Sequence, residues 1–169
     1  MPRCPLRDHG GMARTLPPGG VLIRPRPYEH PDSQYLVRSL YVEQLDRYGF
    51  ADAPDADPQA FIPPGGLFLV AYVEGEPAAC GGMRTHEPGV TEIKKMYVSP
   101  NHRGQGFGRS ILTELERASR ATGAERAILE TGNRNVEALA LYARAGYESI
   151  ASYRERDARI NRAMSKRLR

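Results

Sequence analysis

The sequence predicts an α/β fold, one mixed sheet of about six to seven strands flanked by helices in a single domain. Three observations predict it. At 169 residues the chain has room for one continuous hydrophobic core. LFLVAYV, Leu67 to Val73, is an unbroken apolar run of the kind that forms a strand covered on both faces. Downstream, strand-like and helical patterns alternate across Gly-rich turns, as in a sheet with helices packed on it.

Residues 1–19 are rich in Pro, Gly and Arg and read as a disordered segment ahead of a domain spanning 20–169. Val21 to Tyr28 suits an edge strand, because its prolines cannot donate to a ladder. Asp32 is placed to cap a helix whose Tyr35, Leu36, Leu40 and Leu45 recur at helical spacing and which ends near Gly49. Residues 51–66, ADAPDADPQAFIPPGG, read as a loop with one short helical turn. Leu67 to Val73 is followed by a turn at Glu74-Gly75-Glu76-Pro77, a strand from Ala78 to Arg84, and a strand from Thr91 to Val98. A helix beginning near Arg109 puts Ile111, Leu112, Leu115 and Ala118 on one stripe and stops at Gly123. Ala127 to Glu130 is a short strand. Asn135 then caps a helix that carries Leu139, Tyr142 and Ala143 and stops at Gly146. Tyr147 to Tyr153 and Asn161 to Leu168 read as the last strands.

Composition narrows the function classes. Hydrophobic content of 40% and charged content of 26% belong to an ordinary globular domain. No apolar run approaches the roughly 20 residues needed to span a bilayer. The first twenty residues carry no apolar signal region, so neither secretion nor a membrane is expected. Two cysteines, Cys4 and Cys80, build no disulfide framework, and a reducing cytoplasm is the expected compartment. Of the net +4, Arg154 to Arg169 hold seven basic and two acidic residues, which leaves 17 basic and 18 acidic for the rest. A near-neutral body with a basic end, without interleaved aromatics, does not point to nucleic acid. The four histidines and two cysteines show no metal-ligand spacing.

Most of the chemical information lies in MYVSPNHRGQGFGRS, Met96 to Ser110. A strand ends at Val98, Pro100 breaks it, and Gly104, Gly106 and Gly108 lead into a helix. Glycine here lets backbone N–H groups converge, and a helix N-terminus behind them adds about half a positive charge. Together they suit a phosphate or pyrophosphate. A P-loop needs Lys and Ser or Thr after its last glycine, but Arg109 follows Gly108. A dinucleotide fingerprint needs different glycine spacing and an acidic partner about 20 residues on.

The form that fits is Arg-x-x-Gly-x-Gly, Arg103 to Gly108, which resembles the acetyl-CoA signature of the GCN5-related N-acetyltransferase (GNAT) family. The likeness extends further: Thr91 to Val98 resembles the family's fourth strand, and LETGNRNVEALALYARAGY, Leu129 to Tyr147, its fifth strand and following helix. It implies a sheet whose fourth and fifth strands splay. It also implies transfer of acetyl from acetyl-CoA to a primary amine by direct attack in a ternary complex, without a metal.

On this resemblance the main chain of Met96 and Val98 would hold the pantetheine arm, while Arg103, Gly104, Gln105, Gly106, Gly108 and Arg109 would hold the pyrophosphate. Asn135 reads both as a helix cap and as a cofactor contact. Tyr142 matches the family's general acid, although its helix stripe alone would make it a core tyrosine. Glu92 is the candidate general base, with a strand glutamate paired to Lys94 or to a neighbouring strand as the equal alternative. His86 is a reserve base, His102 belongs to the loop, and Cys80 reads as a buried apolar residue. The acceptor stays open between small-molecule amines and peptide or protein amines. On the resemblance, the acidic stretch Glu43, Asp46, Asp52, Asp55 and Asp57 borders the acceptor side and would favour a cationic one, with a solvated loop as the equal alternative. A homodimer is compatible with the sequence. An acetyl-CoA-binding sensor without turnover is the rival function, and an unrelated nucleotide-binding module the second.

Overall fold

A computed structural model describes residues 21–51 and 57–169. The N-terminal segment, Cys4, Asp52 and Asp55 lie outside the described residues. The elements run β1 (Leu22–Pro25), α1 (Pro31–Tyr48), β2 (Gly66–Val73), β3 (Glu76–Glu87), β4 (Val90–Val98), α2 (Phe107–Ala121), β5 (Arg126–Gly132), α3 (Val136–Arg144), β6 (Glu148–Ile150) and β7 (Asn161–Arg167). Short 3-10 turns at Pro58–Phe61 and Pro100–His102 complete them. The sheet has the order β1-β2-β3-β4-β5-β7-β6. Among the described strands β4 and β5 pair in parallel and the other neighbours are antiparallel.

The apolar run of β2 is covered on both faces, as its sequence predicts. Leu69 and Ala71 join a core with Ile111, Leu112 and Leu115 of α2. Phe68, Val70 and Tyr72 join a second core with Leu36 and Val37 of α1 and with Phe61. Gly81 and Gly82 let both layers close on the sheet. A Cβ on Gly81 would come within 2.8 Å of Ile111, and one on Gly82 within 2.6 Å of the Phe61 ring.

Several local expectations change. His30, not Asp32, caps α1: its Nδ1 accepts from the Asp32 N–H at 3.2 Å, because Pro31 takes the first helical position. The Asp32 carboxylate instead accepts from the Tyr72 hydroxyl at 2.6 Å. The buried stripe of α1 is Ser33, Leu36 and Val37, while Tyr35 stays 59% exposed. Glu76 and Pro77 belong to β3 rather than the turn, since Glu74 and Gly75 alone make the reversal with φ of 50° and 86°. The next helix starts at Phe107, whose buried ring pulls the first turn onto the core. β6 stops at Ile150 instead of Tyr153, because the chain leaves the sheet there to meet Glu92.

Candidate active site

The site begins as a defect in strand pairing. β4 and β5 run side by side from Val90↔Arg126 to Ile93↔Leu129 and then part. The cause sits two residues on. Lys95 has φ of +57°, and the β3–β4 register shifts between Cys80 and Gly82, which marks a bulge. The Lys95 carbonyl accepts from the Cys80 thiol at 3.3 Å. β5 follows β7 instead, pairing through Gly132↔Asn161. Beyond Ile93, among the described residues, the main chain of β4 therefore has no strand beside it on the β5 side.

A cleft of about 470 Å³ fills the split, within the range of small-ligand sites. Of the functional candidates named from sequence, Glu43, Glu92, Met96, Asn135 and Tyr142 line it, whereas none from Arg103 to Arg109 does. Val98 lies past its edge, and the Val98 carbonyl already accepts from Arg103 Nε at 3.0 Å. The second guanidinium arm of Arg103 pairs with Glu43 of α1, and its plane lies 5.8 Å from the Tyr97 ring centroid. Arg103 thus ties the glycine loop to strand and helix through its side chain.

The glycine loop forms a cradle. Gly104 and Gly106 have φ of 73° and 87°, and Gly106 caps α2 in the left-handed conformation. A side chain at either position would project into open space, so the surface above the loop is clear. The N–H groups of the first turn of α2 have no helical acceptors and the helix dipole reinforces them. Gly108 serves another purpose: its Cβ would sit 3.2 Å from Leu141, so it lets α3 approach α2. Gln105 donates to the Asn101 carbonyl at 3.2 Å, within its own loop.

Tyr142 projects from α3 into the cleft wall, 4% exposed, with its ring edge-on to Tyr147. Burial pushes its phenol pKa up, so it keeps its proton at neutral pH. Asn135 caps α3, accepting from the Ala138 N–H at 3.3 Å. Cys80 is buried, and burial raises its thiol pKa far above the reactive range. Glu92 is 1% exposed and surrounded by donors from Arg84, Tyr153 and Arg154. His86 packs edge-on to Tyr153 at 5.4 Å. Of the acidic stretch, Glu43 is paired with Arg47 and Arg103, and Asp57 caps a 3-10 turn through Gln59 N–H.

One closure was not legible in the sequence. The Tyr48 hydroxyl, at the end of α1, accepts from the Arg134 N–H at 3.1 Å, and Arg134 Nη1 donates to the Arg47 carbonyl at 2.7 Å. Tyr48 also lies against Gly132, where a Cβ would be 2.0 Å from its hydroxyl. These contacts join α1 to the β5–α3 turn beside the cleft. The only sequence signal was a glycine at a strand end, which often marks close approach.

No group of His, Cys, Asp and Glu that could hold a metal occurs among the described residues. No helix among them is long and apolar enough to cross a membrane.

Comparison with known proteins agrees with this geometry. The model of the acetyltransferase (GNAT) family matches residues 28–147. An IAA acetyltransferase of Azospirillum brasilense is 36% identical over 113 residues, 63% of this chain and 73% of that protein. A structure from Klebsiella pneumoniae subsp. pneumoniae, provisionally described as an acyl-CoA N-acyltransferase, superposes with a TM-score of 0.75 at 27% identity, covering 88% of this chain and 97% of the other. A GNAT family acetyltransferase from Elizabethkingia anophelis, solved with acetyl-CoA bound, shares the fold at a TM-score of 0.64 and 19% identity, over 89% and 99% of the two chains. The matched stretch runs from just ahead of α1, through the glycine cradle, to the end of α3, and on that extent the chain belongs to the acetyltransferase (GNAT) family and is an acetyl-transferring enzyme.

Proposed function

We propose that this enzyme moves the acetyl group of acetyl-CoA to a primary amine by direct attack while both are bound. The observation that carries the reading is the split itself. Beyond Ile93 and Leu129 the strands leave β4 main chain facing a cleft with Tyr142 in its wall, and β4 runs on through a short turn into the glycine cradle.

The cradle fits a pyrophosphate. Its two left-handed glycines leave clear space above backbone donors, which a side chain would fill. Lys94 to Met96 offer main chain alongside the cleft for an extended amide-bearing arm. The amine attacks the thioester carbonyl, a C–N bond forms, the C–S bond breaks, and the sulfur leaves with the electron pair. Tyr142, held protonated by burial, donates toward that sulfur. The amine, bound neutral, loses one proton to water as the C–N bond forms, and a proton from water restores the Tyr142 phenol, so the loss balances the thiol's gain. Positioning supplies much of the rate, because a second-order reaction is made effectively first-order.

The amine enters, in this reading, from the side bounded by the end of α1 and by Glu155, Arg156 and Asp157. A cleft of this size suits a small-molecule amine or a peptide end. The test has two parts. Acetyl-CoA should raise the melting temperature, and free thiol should be released when one amine of a panel is added. A melt shift without turnover for any amine would support the sensor reading; no shift at saturating acetyl-CoA would overturn the cofactor assignment.

A further inference from the structure

The surroundings of Glu92 give it a task other than proton transfer. Its Oε2 accepts from Arg84 Nε at 2.9 Å and Arg154 Nη2 at 2.8 Å, and Arg84 Nη2 forms an ion pair with it at 2.8 Å. Its Oε1 accepts from Arg154 Nη2 at 2.8 Å and from the Tyr153 hydroxyl at 3.1 Å, with Lys94 Nζ 3.9 Å away. A carboxylate offers about four acceptor directions, and three donor atoms from two arginines and a tyrosine engage both oxygens here. Putting an amine proton on it would break charge-assisted bonds to two arginines in a buried place.

Those partners come from two sources. Arg84 and Lys94 stand on β3 and β4, inside the paired sheet. Tyr153 and Arg154 belong to the irregular connection between β6 and β7, residues 151–160. Glu155, Arg156 and Asp157, which follow immediately, line the cleft. The far half of the connection is tied by Asn133, whose N–H donates to the Ile160 carbonyl at 2.8 Å and whose amide donates to the Arg159 carbonyl at 2.7 Å. The near half rests on Glu92, with Ser152 and Arg156 on Glu130 at 3.2 and 3.8 Å. Burial, then the Glu92 charge, raises the Tyr153 pKa, so that phenol remains a donor.

We propose that Glu92 is a positioning residue: by gripping Arg154 and Tyr153 it fixes the wall against which the acceptor amine lies, and it does not take the amine's proton. The placement of the acceptor rests on the acetyl-transfer reading above; the grip itself does not.

The test uses the full chain with Glu92→Gln, Tyr153→Phe and Arg154→Ala. The rate probe is the fastest acceptor in a panel of spermidine, glycinamide, tryptamine and 2-aminoethylphosphonate. Glu92→Gln and Arg154→Ala should each raise the KM for that amine by about five-fold or more, with kcat within about three-fold. The acid limb of the kcat–pH profile should stay in place. The double variant should be no worse than the more damaged single one, because both remove the same grip. Amide exchange at residues 153–157 should quicken in each, while the acetyl-CoA melt shift persists. A fall in kcat of about 100-fold at unchanged KM, with the acid limb lost, would overturn the proposal and restore Glu92 as base. Unchanged exchange at 153–157 would overturn it too. If no panel amine reacts, or acetyl-CoA gives no shift, the acetyl-transfer reading has failed there and the exchange result alone decides the grip. Should Glu92→Gln not fold, Arg154→Ala and Tyr153→Phe carry the same comparisons.

Discussion

Glu43 on α1 receives the guanidinium of Arg103 from the glycine loop, and the same arginine holds the Val98 carbonyl at the end of β4. A helix lining the cleft is thereby joined to the loop proposed to hold the cofactor. Both partners are part-exposed, 27% and 29%, so the pair contributes in the range of about 0.2–1 kcal/mol. Glu43→Gln should therefore weaken acetyl-CoA binding by up to about five-fold, measured by titration calorimetry. Unchanged affinity would show that the loop holds its shape without α1.

Gly106→Glu should abolish the acetyl-CoA melt shift. A non-glycine residue at φ of +87° costs about 1–2 kcal/mol, and the carboxylate would project over the cradle and repel a pyrophosphate. Gly106→Ala separates the effects, since it carries the strain without the charge. A normal shift in the glutamate variant would place the anion elsewhere.

Tyr142→Phe should lower turnover by about 10²–10⁴-fold and leave acetyl-CoA affinity within a few-fold, because only the proton donor is removed. Thiol release under saturating conditions measures it. An undiminished rate would make Tyr142 a packing residue beside Tyr147.

Gly132→Ala tests the closure of α1 onto the β5–α3 turn. The new methyl would meet the Tyr48 hydroxyl at 2.0 Å and ring carbon at 2.3 Å, so the ring must move. Overpacking of this kind costs about 1–3 kcal/mol, read in urea denaturation. In a Tyr48→Ala background the same change should cost much less. Equal costs in both backgrounds would exclude the clash.

Stability should fall on the alkaline side. Tyr142, Tyr147 and Tyr153 all have phenol pKa values raised from 10.0, first by burial. Above about pH 10 the unfolded chain loses protons that the folded chain keeps, so the full contribution holds below that pH and is lost as pH rises. Each group steepens the decline by about 1.4 kcal/mol per pH unit. Denaturation midpoints between about pH 9 and 11 measure the slope, which Tyr147→Phe should reduce. A flat profile would contradict the burial of these hydroxyls.

The sequence by itself determined the local elements and the cradle. The apolar run of β2, the glycine stops at Gly49 and Gly123 and the Ile111, Leu112 and Leu115 stripe of α2 are encoded by neighbours along the chain and lie where the sequence puts them, although Glu116, which reads as solvent-facing, is buried against Lys166. Gly104 and Gly106 take the left-handed conformation that glycine permits, whereas Gly108 is helical and serves packing. Tertiary structure decided what depends on distant partners. Insertion of β7 between β5 and β6, and the bulge at Lys95 that parts β4 from β5, follow from competition among strands for hydrogen bonds, which no local window contains. Glu92 shows the same limit. Its spacing from Lys94 was visible, but the arginines and tyrosine that surround its carboxylate lie eight to sixty-two positions away and reach it only once the sheet has formed. A carboxylate's chemistry is set by the donors that desolvation gathers around it, so its role is fixed by packing rather than by its place in the chain.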